Sequence, residues 1–116
     1  MKLLNRSGLS VVPKLPFIEW AAKQQDDPLN QVLTAAEQQQ EGTLYLIAEV
    51  ESEADFEAAI EQHWQAIFEN ELAAWDEFGD HWPQGRDRGL FEQWFSVVPQ
   101  IATFDLDSEP LMTATL

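Results

Sequence analysis

The chain contains no cysteine, which excludes a disulfide framework, a thiolate zinc site and a cysteine nucleophile. Its five glycines, at 8, 42, 79, 85 and 89, form neither G-x-x-x-x-G-K nor G-x-G-x-x-G. Those are the spacings that let backbone N–H groups close around phosphates. No serine stands in G-x-S-x-G, and Ser7, Ser10, Ser52, Ser96 and Ser108 all read as locally bonded. There are only two histidines, His63 and His81, and neither completes a Glu-x-x-His step, because residue 60 is Ile and residue 78 is Phe. Asp105-x-Asp107-x-Glu109 resembles the opening of a calcium loop, but Pro110 occupies the glycine position and Leu116 the final glutamate position. The residues therefore predict no metal and no cofactor. No apolar run approaches the roughly 18 residues of a membrane span, and residues 1–4 lack the apolar region of a signal peptide. The expectation is a cytoplasmic chain without a membrane partner.

Basic residues are the other scarcity: six Lys and Arg against 21 Asp and Glu, for a formal net charge of −15. They sit at Lys2, Arg6, Lys14, Lys23, Arg86 and Arg88, so positions 24–85 carry 15 acids and no base. Such a field disfavours direct nucleic-acid binding, which depends on cations displacing the counterions of phosphates, and it disfavours anionic membranes for the same reason. What remains is a solvated acidic face or one directed at a basic protein.

What the chain has in quantity is apolar and aromatic matter. Apolar residues make up 45%, with five Trp and seven Phe. A chain of 116 residues with that content forms one ordinary domain and buries about two-thirds of its unfolded surface. The longest coherent stretch is 52–79. Ser52 can cap the first free N–H groups, Glu53 and Asp55 sit in the positive first turn, and Gly79 suits a left-handed stop. Phe56, Ile60, Trp64, Ile67, Phe68, Leu72 and Trp75 recur at three- and four-residue steps, which lays them on one helical face spanning an arc of about 160°. Glu71 falls inside that apolar stripe, between Ile60 and Trp64 on the wheel. Burying an unpaired carboxylate costs several kcal/mol, so Glu71 requires a partner or a raised pKa.

Around this helix the other elements follow in order. A short β-prone run at 9–12 is ended by Pro13. A helix is expected over 15–24, with Pro16 in its first turn and Phe17, Trp20 and Ala21 inward. Leu29, Val32 and Leu33 anchor a connection, and Thr34 to Glu37 has the spacing of a capping box for a short helix ending at Gly42. Residues 43–50 read as a central strand from their continuous apolar and β-branched content. Asp87 caps a further helix in which Leu90, Phe91, Trp94 and Phe95 face inward. Residues 95–99 and 101–106 read as a closing hairpin, and 107–116 as a loop or frayed tail. The order β–α–α–β–α–α–β–β predicts a single two-layer α+β domain, residues 1–116. About four strands, in a mostly antiparallel or mixed sheet, carry the long helix and the shorter helices on one face.

Several pieces carry a resemblance: Leu4-Asn-Arg-Ser-Gly-Leu9, Pro13-Lys14 with Pro16-Phe17, Tyr45-Leu-Ile47, Ile67-Phe-Glu-Asn-Glu-Leu72 with Trp75, Trp82-Pro83 with Arg86, and Trp94-Phe95 leading to Phe104-Asp-Leu106. Across nearly the whole chain, and in this order, they resemble a family of small uncharacterised bacterial proteins. The resemblance implies a small single-domain bacterial protein and brings no functional residue with it. The present chain is more acidic than that pattern, with Ala and Gln in its short second helix where charged residues are usual.

The candidate site residues are Glu71, Arg86, Arg88 and Trp82. A loop with Trp82 and Arg86 beside an inward Glu71 could line a pocket, but the preferred reading is structural, with Arg86 or Arg88 folding onto Glu71 and neutralising it. On that reading Glu71→Gln breaks a buried pair and destabilises the fold by a few kcal/mol. No motif specifies an activity, and an enzyme is the less favoured class. The best-supported function is a protein-interaction module whose acidic face meets a basic partner. The alternatives are a nucleic-acid mimic or nuclease-inhibiting immunity protein, and a small-ligand binder or enzyme using Glu71 and Arg86. Oligomeric state is open, since an exposed strand edge could pair two copies while the charge repels them.

Overall fold

The computed structural model of the chain describes residues 1–24 and 42–116. In these residues the order is β1 (Lys2–Leu4), β2 (Arg6–Pro13), α1 (Leu15–Lys23), β3 (Thr43–Ala48), α2 (Glu53–Ala73), α3 (Arg88–Trp94), β4 (Phe95–Gln100) and β5 (Thr103–Asp105). The helix expected at 34–42, with the anchors Leu29, Val32 and Leu33, lies outside the described residues apart from Gly42. The fold is α+β, with two antiparallel sheets: three strands in the order β3–β2–β4, and a two-stranded ribbon of β1 and β5.

This topology corrects three expectations. The four-stranded sheet is instead a three-stranded sheet and a separate ribbon. The central strand is β2, and β3 lies at the sheet edge among the described residues. Residues 95–106 do not fold as a hairpin, because β4 pairs with β2 while β5 pairs with β1 at the far N-terminus. Pairing in each case joins distant segments, with Leu9 opposite Pro99 and Leu3 opposite Phe104. Local sequence carries no trace of that choice. After Asp105 the chain continues to residue 116 without helix or strand.

The prolines fix which way each backbone group points. A proline has no N–H, so it can oppose a partner only at a non-hydrogen-bonded position of the ladder. Pro99 opposes Leu9 and Pro13 opposes Phe95. Leu9, Val11 and Pro13 therefore turn their backbone groups away from β4, and Ser7, Leu9 and Val11 bond β3 through Ile47, Tyr45 and Thr43. It follows that the N–H and C=O groups of Leu44, Leu46 and Ala48 point outward from the sheet.

The core lies between α2 and the inner face of the sheet. Leu9, Val11 and Ile47 meet Phe56, Ile67, Phe68 and Leu72 of α2, together with Phe17, Phe91 and Phe95. Phe68 stands at its centre, with ring centroids 5.7 Å from Phe91, Trp94 and Phe95 alike. Each such fully buried side chain contributes about 1.5–3 kcal/mol. The expected helical stripe forms from Phe56 to Leu72, with Ile60 and Trp64 half-buried around it, and Trp75 packs against the core from just past the helix end.

The two expected caps that fall among the described residues form. Ser52 Oγ accepts from Asp55 N at 3.2 Å, and Asp87 Oδ1 accepts from Leu90 N at 2.8 Å. The helix ends at Ala73 rather than at Gly79. The Asp76 carboxylate accepts the His81 N–H at 2.6 Å, the Asp76 carbonyl accepts the Trp82 indole N–H at 2.8 Å, and Gly79 turns at φ +79° between them. A loop closed on itself has replaced the last helical turn.

Ser7 is not locally bonded as expected. It is fully buried, its hydroxyl donates to the Ile101 carbonyl at 2.8 Å, and it accepts the Val50 N–H at 3.0 Å. One side chain thus ties the exit of β3 and the β4–β5 link to the central strand.

Candidate binding groove beside β3

Alternation along β3 sends Thr43, Tyr45 and Ile47 toward α2, while Leu44 and Leu46 face outward and are exposed. Across from them α2 presents His63, Ala66, Ile67 and Asn70, one helical face at steps of three and four. Tyr45, Leu46, Ile47, His63, Ala66, Ile67 and Asn70 line an open groove of about 350 Å³ along the β3 edge.

Glu71 stands next to this groove. Tyr45 donates its phenolic hydrogen to Glu71 Oε2 at 2.8 Å, and Thr43 Oγ1 lies 3.1 and 3.2 Å from the two carboxylate oxygens. Asn70 Nδ2 in turn donates to the Tyr45 oxygen at 2.9 Å, which fixes the phenol so that its own proton points at the carboxylate. Two hydroxyl protons thus serve a carboxylate able to accept about four bonds.

Burial pushes the Glu71 carboxyl above its ordinary pKa, and the bonds from Tyr45 and Thr43 only partly offset this. The Tyr45 phenol is raised well above its usual value, first by burial and then by the neighbouring negative charge, against an opposing pull from Asn70. Tyr45 therefore remains a donor at any ordinary pH.

The expected arginine pairing is corrected: neither Arg86 nor Arg88 reaches Glu71. Arg88 instead joins α3 to α2. Its guanidinium contacts Glu57, Glu61 Oε2 at 2.9 Å and Glu92 Oε1 at 3.0 Å. These carboxylates, Glu61 foremost, hold Arg88 still more firmly protonated than usual. Arg86 lies over the Trp82 ring at 5.4 Å, donates to the Pro83 carbonyl at 2.9 Å and passes Glu69 at 3.9 Å. Trp82 and Arg86 thus complete the loop after α2, where the Trp20 indole also donates to the His81 carbonyl at 2.9 Å. Of the four residues singled out by sequence, only Glu71 borders the groove.

The sequence does not announce Thr43 and Tyr45 as the partners of Glu71, or Asn70 as the partner of Tyr45. The available signal was the two hydroxyl residues at alternate positions of one strand. It needed knowledge of which helix turn that strand face meets.

Among the described residues no group of three or more His, Asp or Glu side chains is arranged to hold a metal ion, and no helix is long and apolar enough to cross a membrane. No protein-family model matches the chain, and neither a curated protein nor a solved structure matches it significantly.

Proposed function

We propose that this chain is a protein-interaction module of the bacterial cytosol that takes a basic segment of a partner protein. The observation that carries the reading is the separation of charge. On the side of α2 next to β4, Lys14 and Arg88 stand among Glu57 and Glu92, and Arg88 pairs with both acids, whereas no Lys or Arg lines the groove beside β3 and Glu71 next to it is held by hydroxyls. The turn from β3 into α2 adds the exposed carboxylates Glu49, Glu51 and Glu53, for which no ion pair occurs among the described residues. Concentrated charge of one sign steers a partner of the opposite sign and excludes like-charged ones.

The nucleic-acid mimic is less well supported. It needs free carboxylates along a ridge, and the best ridge, Glu53, Glu57 and Glu61 at four-residue steps, is drawn in around Arg88 at two of its three positions.

The test is fluorescence anisotropy of labelled octapeptides centred on Lys, Arg, norleucine or Glu in alternating valine and threonine flanks. The reading predicts binding of the cationic peptides, weakening steeply as salt is raised. Equal affinity for the glutamate peptide, or no binding of either cationic peptide at low salt, contradicts it.

A further inference from the structure

The two edges of the three-stranded sheet are not alike. On β4 the outward positions are Phe95, Val97 and Pro99. The Phe95 N–H is spent on the Phe91 carbonyl that closes α3, and Pro99 has none. That edge offers a single amide and is blunted in the manner of protected edge strands. On β3 the outward positions are Leu44, Leu46 and Ala48, each with both an N–H and a C=O. No proline, charged side chain or bulge interrupts them, and among the described residues no strand pairs with them. Among the described residues, the unpaired edge is the one beside the groove and beside a carboxylate held by hydroxyls alone.

The geometry points to strand addition at β3: an extended segment of a partner protein pairs with Leu44, Leu46 and Ala48, and a lysine or arginine within it reaches Glu71. This inference rests on the reading that the partner is basic, and says where and how it binds. An added strand lies about 4.8 Å from β3. Its side chains opposite Thr43, Tyr45 and Ile47 share their face, with Cβ atoms about 4.5–5.5 Å apart. Apolar side chains on that face enter the groove against His63, Ala66 and Ile67. A cation on the same face, opposite Tyr45 or Thr43, brings a flexible stem and charged head to the Glu71 oxygens, whose accepting capacity two hydroxyls leave unfilled. Alternate side chains of the segment lie beside Leu44 and Leu46 and cover apolar surface that is now exposed. Backbone pairing then supplies affinity and Glu71 supplies the choice of a basic sequence. A second copy pairing through its own β3 does not fit the same place, because residues 24–85 contain no base for Glu71 and both copies carry the same charge.

The test compares the lysine-centred octapeptide, its norleucine counterpart and a version N-methylated on alternate amides, each against the wild type, Glu71→Gln and Ala66→Arg. Glu71→Gln keeps an acceptor for Tyr45 and removes the charge. Ala66→Arg fills the groove from α2 and leaves Glu71 intact, so the proposal does not depend on one variant. Expected are a tenfold or greater loss of lysine-peptide affinity in each variant, a similar loss on changing Lys to norleucine in the wild type with little further loss in Glu71→Gln, and no binding of the methylated peptide. If the lysine peptide binds but is indifferent to Glu71→Gln, Ala66→Arg and methylation, strand addition is overturned while the acidic module stands. If no cationic peptide binds, both fall. A dimer of the free chain that protects the Leu44, Leu46 and Ala48 amides also overturns the inference, by placing a second copy on the edge.

Discussion

Replacing Glu71 by Gln separates the structure from the simplest expectation for an inward acid. Had an arginine paired with it, the substitution would strand a buried cation and cost about 3–5 kcal/mol. Here its partners are the hydroxyls of Tyr45 and Thr43, at 2.8 and 3.1–3.2 Å, and a Gln carbonyl can accept from both. The carboxyl pKa is raised in the fold, with burial the largest cause. The native state therefore holds the proton more tightly than the unfolded chain. Between the unfolded and the raised native value, the unfolded chain has released a proton that the fold still binds. Stability falls as pH rises through that window, and above it the full penalty of the buried charge is present. Gln escapes this penalty but loses charge-assisted hydrogen bonds, which are about twice as strong as neutral ones. The two effects oppose, so Glu71→Gln at pH 7 should leave stability unchanged or raise it, by no more than about 1 kcal/mol. Any gain should shrink as pH falls through the raised native value toward the ordinary glutamate value near 4.3, where it vanishes. Urea unfolding followed by the fluorescence of the five tryptophans, at pH 4, 5.5 and 7, measures this directly. A loss of 2 kcal/mol or more at pH 7 would mean that Glu71 is paired with a cation in the free protein, and would refute the reasoning.

Tyr45→Phe removes the closest donor to Glu71 and the acceptor of Asn70. It should cost about 1–3 kcal/mol, more at pH 7 than at pH 4, in the same urea titrations. Ser7→Ala deletes two long-range bonds of a buried hydroxyl at once and should cost about 1–3 kcal/mol with no change in m-value, since the unfolded surface is unaltered. Arg88→Met leaves Glu57, Glu61 and Glu92 facing one another. Because these acids are exposed, the loss should be only about 1 kcal/mol, measured by thermal unfolding, and should diminish in high salt. Phe68→Ala opens a cavity under three aromatic rings and should cost about 3–5 kcal/mol. A smaller loss in thermal unfolding would mean that the rings collapse into the space.

The three described helices were largely legible because their signals are local. Ser52 and Asp87 cap as their chemistry requires, and the α2 stripe follows from spacing alone. The end of α2 was not legible, since Asp76 accepts from the His81 backbone N–H and the Trp82 indole N–H, five and six residues on. Gly79 serves the turn those bonds make rather than the helix stop. The strands were misplaced for a different reason. The run from Leu44 to Ile47 is apolar on both faces, the usual mark of a central strand, yet its outer leucines are exposed. On the inference drawn above, apolar residues on the open face of an edge strand belong to a partner. Strands β1 and β5 have three residues each, too few for a period to declare itself. Glu71 was legible as an inward carboxylate because the helical wheel depends only on its own helix. Its partners, 26 and 28 residues away, depend on which strand face meets that turn.

Amide hydrogen exchange along β3 tests the central claim most directly. In the free protein Tyr45 and Ile47 should exchange slowly, and Leu44, Leu46 and Ala48 fast. Saturation with the lysine-centred octapeptide should slow those three amides and leave Val97 on the opposite edge unchanged. Uniform slow exchange along β3 without peptide, or protection confined to residues 49–55 with it, would contradict the account.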